Sequence, residues 1–187
     1  MRVFAMGPGR CCSMTFAKAC AHFGAFTSKH ESRDKDLHPT YPDDHIESCW
    51  HSIWKLNWLT SRYPDALYVY LRRDRADVVG SWVQRPRMDL LAKGMLRKDL
   101  KTKKDRYAFA HNWYTFVVDL IHNYFRGTRF KFVVLNVPPT LGEWERFCTL
   151  LNVSRDEIPE SFSEWKIKHN ATVVAPKKEK EDGAGTN

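Results

Sequence analysis

Short apolar runs alternate with longer amphipathic stretches along the chain. A compact run of apolar, β-branched and aromatic residues predicts a buried strand. The predicted strands are residues 2–6, 25–29, 66–72 and 129–135.

Apolar residues spaced three or four positions apart predict helices between these strands. The predicted helices are residues 13–23, 47–62, 77–83, 107–125 and 143–151. In the second of them Trp50, Trp54 and Trp58 recur at every fourth position, a spacing more typical of a helix packed on a core than of a ligand pocket. The polar, proline-containing segment 34–44 is predicted to be a loop.

Strands that alternate with helices are typical of an α/β fold with a mainly parallel sheet flanked by helices. Right-handed crossovers place the loops that follow such strands along one edge of the sheet, where these folds bind ligands. The length of 187 residues suits one domain. We expect this domain to span residues 1–175 and the charged residues 176–187 to form a disordered tail.

Composition narrows the class of protein. The apolar runs are far shorter than the ~20 residues that cross a bilayer, and the N-terminal run is too short for a secretory signal. We therefore expect a cytoplasmic protein without a membrane span. The formal net charge of +8 permits anionic partners, but no nucleic-acid-binding signature accompanies it, so no nucleic acid partner is expected. The five cysteines form no CxxC pair, which predicts reduced thiols.

The first candidate motif is the sequence GPGRCCSMT at residues 7–15, directly after the first predicted strand. A glycine turn that opens a helix can bind an anion through its backbone N–H groups. Arg10 adds a positive charge, and Ser13 and Thr15 add hydroxyl groups. The motif is neither a Walker A sequence nor GxGxxG, and taken alone it is equally compatible with a plain turn between strand and helix.

The second motif is RDRADVVGS at residues 73–81, after the strand predicted at 66–72. Arg73 is expected at the end of the strand and Ser81 about a turn into the next helix. A guanidinium fork and a hydroxyl placed in this way can bind one phosphate. A surface turn with Asp77 near a helix N-terminus is the alternative interpretation.

Together the two motifs resemble the nucleotide-binding core of sulfotransferases that use 3′-phosphoadenosine-5′-phosphosulfate (PAPS). In that family a GxxRxGTxxL loop wraps the 5′-phosphosulfate, and the Arg and Ser of RDPxDxxxS hold the 3′-phosphate. Cys12 stands where the family usually has glycine, a residue used where φ is positive. The donor-binding residues that the resemblance implies are Gly7, Gly9, Arg10, Cys11, Cys12, Ser13, Met14, Thr15, Arg73 and Ser81.

The resemblance also implies a P-loop NTPase-like three-layer sandwich, with PAPS as donor and 3′,5′-ADP (PAP) as product. No metal is required, because arginine and backbone N–H groups can meet the charge of the donor. Arg10 suits the stabilisation of the leaving phosphate. The base that deprotonates the acceptor is expected at the end of a strand beside the loop.

Two clusters of residues compete for the role of base. His30 and Glu31 follow the second predicted strand and are the first candidates, since an imidazole titrates near neutrality. His45 and Glu47 are the second candidates for the base and candidates for acceptor binding.

The function predicted from these features is sulfuryl transfer from PAPS to a hydroxyl or amine acceptor. A P-loop nucleotide-dependent kinase or phosphotransferase, or a non-catalytic nucleotide-binding protein of the same fold, stays open as an alternative. The acceptor is expected to be a small molecule or a glycan. Segments 33–46 and 85–106 are expected to shape its pocket. The sequence distinguishes neither the acceptor nor the oligomeric state.

Overall fold

The computed structural model of the protein describes residues 1–33, 35–97 and 99–167. Its centre is a five-stranded sheet in which every pair of neighbouring strands is parallel. The strands are β1 (Arg2–Met6), β2 (Thr27–His30), β3 (His45–Ser48), β4 (Leu67–Arg72) and β5 (Lys131–Asn136). Their order across the sheet is β2-β3-β1-β4-β5.

Seven α-helices of the described residues surround the sheet. They are α1 (Ser13–Cys20), α2 (Leu56–Arg62), α3 (Arg75–Val83), α4 (Arg87–Leu96), α5 (Lys103–Phe125), α6 (Leu141–Leu150) and α7 (Ile158–Ser163). Two 3₁₀ turns, Trp50–Lys55 and Glu164–Lys166, precede α2 and follow α7. Within the described part of the chain, no helix is both long and apolar enough to span a bilayer.

Two hydrophobic cores lie on opposite faces of the sheet, because successive side chains of a strand point in opposite directions. Phe4 and Tyr68 face the core formed with α2, α3, α4 and α5. Val3 and Val69 face the core formed with α1, α6 and α7. Burial of a large apolar side chain contributes about 1.5–3 kcal/mol. The predicted α/β fold, a parallel sheet between two helical layers, is confirmed.

The predicted helix at 47–62 is wrong in its first part. Residues His45–Ser48 form β3 instead, paired between β1 and β2 and buried along its whole length. The helix proper, α2, begins only at Leu56. Of the three tryptophans expected to pack on the core, Trp50 and Trp58 do so, whereas Trp54 is 49% exposed.

Helices α4 and α7 are additional elements that the sequence pattern did not predict. Helix α3 begins at Arg75, two residues earlier than expected, because the Asp74 side chain accepts hydrogen bonds from the N–H groups of Ala76 and Asp77. Such a cap satisfies amides that have no intrahelical acceptor. The predicted tail at 176–187 lies outside the described residues.

The sheet topology places a crevice at the carboxyl end of β1. The chain leaves β1 towards β2 and β3 on one side and later crosses to β4 and β5 on the other. Ligands of open parallel sheets bind where the direction of the connections reverses in this way. The loops after β1, β2, β3 and β4 all meet at this edge.

Candidate anion-binding site

The loop after β1 is packed so tightly that it needs glycine at two positions. A Cβ added to Gly7 would lie 2.6 Å from Cys11 Sγ and 3.0 Å from the carbonyl oxygen of Leu71. Gly9 has φ +76°, and a Cβ there would lie 2.6 Å from Cζ2 of Trp82. The two glycines therefore let the loop lie directly against the end of β4 and against α3.

Two buried indoles fasten this loop to the helical layer beside it. Trp82 Nε1 on α3 and Trp113 Nε1 on α5 both donate to the carbonyl oxygen of Pro8, at 2.9 and 2.8 Å. A buried indole N–H needs an acceptor, and the carbonyl oxygen of Pro8 serves both rings. The loop thus has a fixed position relative to α3 and α5.

The loop leads into α1 through residues of left-handed conformation. Arg10 has φ +56° and Cys12 has φ +62°, so Cys12 does occupy a position of the kind that glycine favours. Cys12 precedes α1 without a side-chain cap for the helix. The amides of Ser13, Met14 and Thr15 form the first turn, where backbone N–H groups have no intrahelical acceptor. This end of α1 is chemically suited to an anion.

The second motif meets the first at this point. Arg73 donates from Nη1 to the carbonyl oxygen of Arg10 at 3.0 Å and from Nη2 to Asp77 Oδ2 at 3.3 Å. Arg10 Nε donates to Ser81 Oγ at 2.9 Å. Tyr114 OH donates to the carbonyl oxygen of Arg73 at 3.1 Å, which holds the end of β4 against α5. Residues far apart in sequence thus form one network.

Positive charge is concentrated here. Burial, together with the nearby charges of Arg85 and Arg73, lowers the pKa of Arg10. A group whose charged form is disfavoured by burial and by like charges gains from a neighbouring anion. The electrostatics of the site therefore favour a ligand of high negative charge.

A cavity of about 870 Å³ opens at this edge of the sheet, within the range of ~300–1,000 Å³ common for ligand pockets. The residues of the predicted site that line it are Gly9, Arg10, Cys12, Ser13, Met14, Thr15, His30, Glu31 and Arg73. Gly7 and Cys11 of the same loop are buried and do not line the cavity. Ser81 connects to the cavity through Arg10.

His30 lies at the end of β2, on the cavity wall. Its Nδ1 lies 2.8 Å from the carbonyl oxygen of Ser48; a carbonyl only accepts, so Nδ1 carries the proton. In neutral His30 the lone pair is then on Nε2, 3.7 Å from Glu31 Oε1. The pair has the arrangement of a base, His30 Nε2, beside a carboxylate that can stabilise its protonated form.

The other two candidates are not on the cavity. His45 and Glu47 are buried on β3, and Glu47 Oε1 accepts a hydrogen bond from the N–H of Ser32 at 3.1 Å. Glu47 Oε2 also accepts from Ser32 Oγ and from His45 Nε2. Burial by itself raises the pKa of Glu47, but hydrogen bonds from His45 and Ser32 outweigh it and the net shift is downward. Glu47 thus holds the chain that follows Glu31.

Several cavity residues were not among the predicted site residues. They are Trp50, His51, Trp82, Arg85, Arg87, Leu90 and Leu91. The basic composition of segment 85–106 and the position of Trp50 were the available sequence signals. Neither signal shows which residues reach the cavity, because only the fold places these residues beside the glycine loop.

The cysteines of the loop are not suited to nucleophilic chemistry. Burial, the largest cause, raises the pKa of Cys11 to about 12 and that of Cys12 above its ordinary value. Thiols, not thiolates, are therefore present at neutral pH. All five cysteines are free, as predicted. Within residues 1–33, 35–97 and 99–167, no group of three or more His, Cys, Asp and Glu side chains is arranged to hold a metal ion.

Comparison of the chain with models of known protein families and with curated proteins gives no match.

Proposed function

We propose that the protein is a sulfotransferase that moves a sulfuryl group from PAPS to a hydroxyl or amine acceptor. One observation carries the proposal: Arg10 of the glycine loop is joined to both Arg73 and Ser81 beside the first turn of α1. A donor with phosphate groups at two ends needs two anion subsites side by side. The loop and the RDxxDxxxS segment supply such a pair.

The residues of the two motifs offer one set of anion-binding groups for each end of the donor. The amides of Ser13, Met14 and Thr15 would hold the 5′-phosphosulfate, and Arg73 and Ser81 would hold the 3′-phosphate. PAPS, when bound, supplies an activated sulfuryl group with 3′,5′-ADP as its leaving group. Charge is met by arginine and backbone amides, so the proposal requires no metal ion.

His30 is the proposed base. Its Nε2 takes the proton of the acceptor while the new oxygen–sulfur or nitrogen–sulfur bond forms and the bond from sulfur to the phosphate oxygen breaks. Glu31 and the carbonyl oxygen of Ser48 stabilise the resulting imidazolium. Arg10 stabilises the negative charge that the leaving phosphate gains. A cytoplasmic location and a small-molecule or glycan acceptor belong to the same proposal.

Calorimetric titration of the full chain with 3′,5′-ADP tests the donor site, with 5′-AMP and ATP–magnesium as controls. We expect micromolar binding of 3′,5′-ADP and binding of 5′-AMP weaker by roughly 10- to 100-fold, since a charge-assisted contact contributes about 1.5–3 kcal/mol. Equal affinity for the two adenosine phosphates would contradict the proposal. Tight binding of ATP–magnesium without 3′,5′-ADP binding would favour a phosphotransferase instead.

A further inference from the structure

One face of α4 forms part of the wall of the cavity. Arg87, Leu90 and Leu91 lie three and four positions apart on this helix, and all three line the cavity. Residues at this spacing share a helix face. The neighbouring stripe, Met88 and Ala92, is buried and anchors α4 to the core. Leu90, by contrast, is 71% exposed, so α4 presents apolar surface and a cation to the cavity.

A guanidinium on α5 fixes the start of α4. Arg106 donates to the carbonyl oxygen of Val83 at 3.0 Å, to that of Arg85 at 2.9 Å and to Asp89 Oδ2 at 2.7 Å. These three bonds span the turn between α3 and α4. The face of α4 that borders the cavity is therefore held in a defined orientation.

Trp50 and the proposed base complete this part of the cavity. Trp50 lies two residues after the end of β3, His30 ends β2, and both line the cavity with Leu90 and Leu91. A group held between Trp50 and α4 is therefore in the same cavity as His30 and the glycine loop.

The charge on this wall is not needed for the two phosphate subsites. Those subsites use Arg10 and Arg73, and the charge of Arg85 lies near Arg10. Arg87 is on α4 with the leucines and makes no ion pair with any residue that the structure describes. A guanidinium next to exposed apolar surface suits a ligand with a carboxylate or similar anion on an apolar body.

We propose that Arg87, Leu90, Leu91 and Trp50 form the acceptor subsite and that the acceptor is a hydroxyl compound with an apolar body and one anionic group. This inference rests on the proposed function, since it takes the glycine loop as the donor site. Arg87 binds the anionic group, and the leucines and Trp50 cover the apolar body. The hydroxyl group is then left to face His30.

Four probes separate charge from apolarity: 3-(4-hydroxyphenyl)propanoate, 4-propylphenol, glucuronate and glucose. Each is titrated calorimetrically into the full chain saturated with 3′,5′-ADP. We expect 3-(4-hydroxyphenyl)propanoate to bind about tenfold more tightly than 4-propylphenol, because only the former can pair with Arg87. Both sugars are expected to bind more weakly than either phenol.

Variants of α4 test which residues cause the differences in affinity among the probes. Arg87→Gln is expected to abolish the difference between the two phenols, and Leu90→Gln to weaken both by several-fold. Lys93→Gln removes a charge from the same helix away from the cavity, and Leu96→Gln changes an exposed leucine that does not line it. Both controls are expected to bind the probes as the unchanged protein does.

The result separates this inference from the proposed function. Failure of 3′,5′-ADP to bind the unchanged protein would overturn both. Normal binding of 3′,5′-ADP with equal affinity for the two phenols, or with the sugars preferred, would overturn the acceptor subsite alone. Weaker binding of 3′,5′-ADP to Arg87→Gln or Leu90→Gln would assign this wall to the donor and would also overturn it.

Discussion

Arg73 joins the two motifs of the site through one guanidinium, bonded to the carbonyl oxygen of Arg10 and to Asp77. Arg73→Ala is expected to weaken 3′,5′-ADP binding by about 1.5–3 kcal/mol and to leave 5′-AMP binding nearly unchanged, because only the former has a 3′-phosphate. Calorimetry measures both. Arg75→Ala, at an exposed position outside the cavity, is the matched control. Equal loss for both ligands would remove Arg73 from the 3′-phosphate subsite.

The ring of His30 is oriented by the carbonyl oxygen of Ser48. We expect ¹⁵N NMR of the labelled ring, recorded in the neutral form, to show the proton on Nδ1, because a carbonyl cannot donate. His22, whose ring nitrogens face Glu160 and Glu164, serves as an internal comparison. A neutral His30 protonated on Nε2 would rule it out as the base in the orientation described.

Gly9 has a positive φ, and the packing around it leaves no room for a Cβ. Gly9→Ala is expected to destabilise the protein by at least ~1–3 kcal/mol, because alanine is strained at φ +76° and its Cβ would meet Trp82. Urea unfolding measures the change. Gly80→Ala is the control: its Cβ would meet nothing within 4 Å, so a gain of about 0.5–1 kcal/mol is expected from helix propensity. Similar effects at both positions would contradict the packing described for the loop.

At the scale of elements, α3, α4 and α5 form one unit around the turn at 83–89. Asp74 caps α3, and Thr102 and Asp105 form a capping box that begins α5. The capping box places Arg106 in the first turn of α5, from where it reaches the turn between α3 and α4. The position of α4 over the cavity thus depends on the start of another helix.

Arg106→Ala is expected to cost about 1.5–3 kcal/mol of stability, because it leaves two carbonyl oxygens and Asp89 without their charged donor. Hydrogen exchange of amides in 83–92 is expected to accelerate more than that of the β-sheet, since the lost bonds are local. Lys103→Ala, which removes an exposed cation three residues earlier in the same turn of α5, is expected to leave exchange in this segment unchanged. Uniform acceleration over the whole chain would contradict a local role for Arg106.

At the scale of the whole molecule, the site depends on strands from both halves of the sheet. The proposed base, His30, ends β2, the glycine loop follows β1, and Arg73 follows β4. Ser48 of β3 links the first two, because its carbonyl oxygen accepts from His30 and its Oγ donates to the carbonyl oxygen of Ser13 at 2.9 Å. Disruption of β3 would separate the proposed base from the glycine loop.

Glu47 makes β3 sensitive to acid. Its pKa is lowered in the folded protein, so its ionised form contributes stability above its unfolded value, about 4.3, and this contribution is lost as the pH falls through the lower folded value. We expect the free energy of unfolding to decline below about pH 4. Glu47→Gln is expected to be less stable at neutral pH and to show a smaller decline in acid. An unchanged decline in Glu47→Gln would assign the acid sensitivity to other carboxylates.

Local sequence was sufficient wherever the determining interactions are local. The apolar runs of β1 and β4, the glycine turn after β1 and the long apolar periodicity of α5 each act within a few residues, so pattern alone predicts them. The parallel α/β sheet follows from their alternation, and it was predicted correctly.

The remaining features were decided by tertiary structure, because they depend on residues distant in sequence. Glu47 and Ser48 were predicted to begin a helix, and His45 falls between the predicted loop and that helix. Pairing with β1 and β2 and a hydrogen bond from Ser32 to Glu47 instead make their burial favourable as β3. The contact of Arg10 with Ser81, the tautomer of His30 and the face of α4 on the cavity have the same origin. The amino-acid sequence by itself determined the layers of this protein and the chemistry of its loops. Only the fold decided which distant side chains meet, since the contacts of Arg10 with Ser81, of Arg73 with Arg10 and of His30 with Ser48 join separate elements.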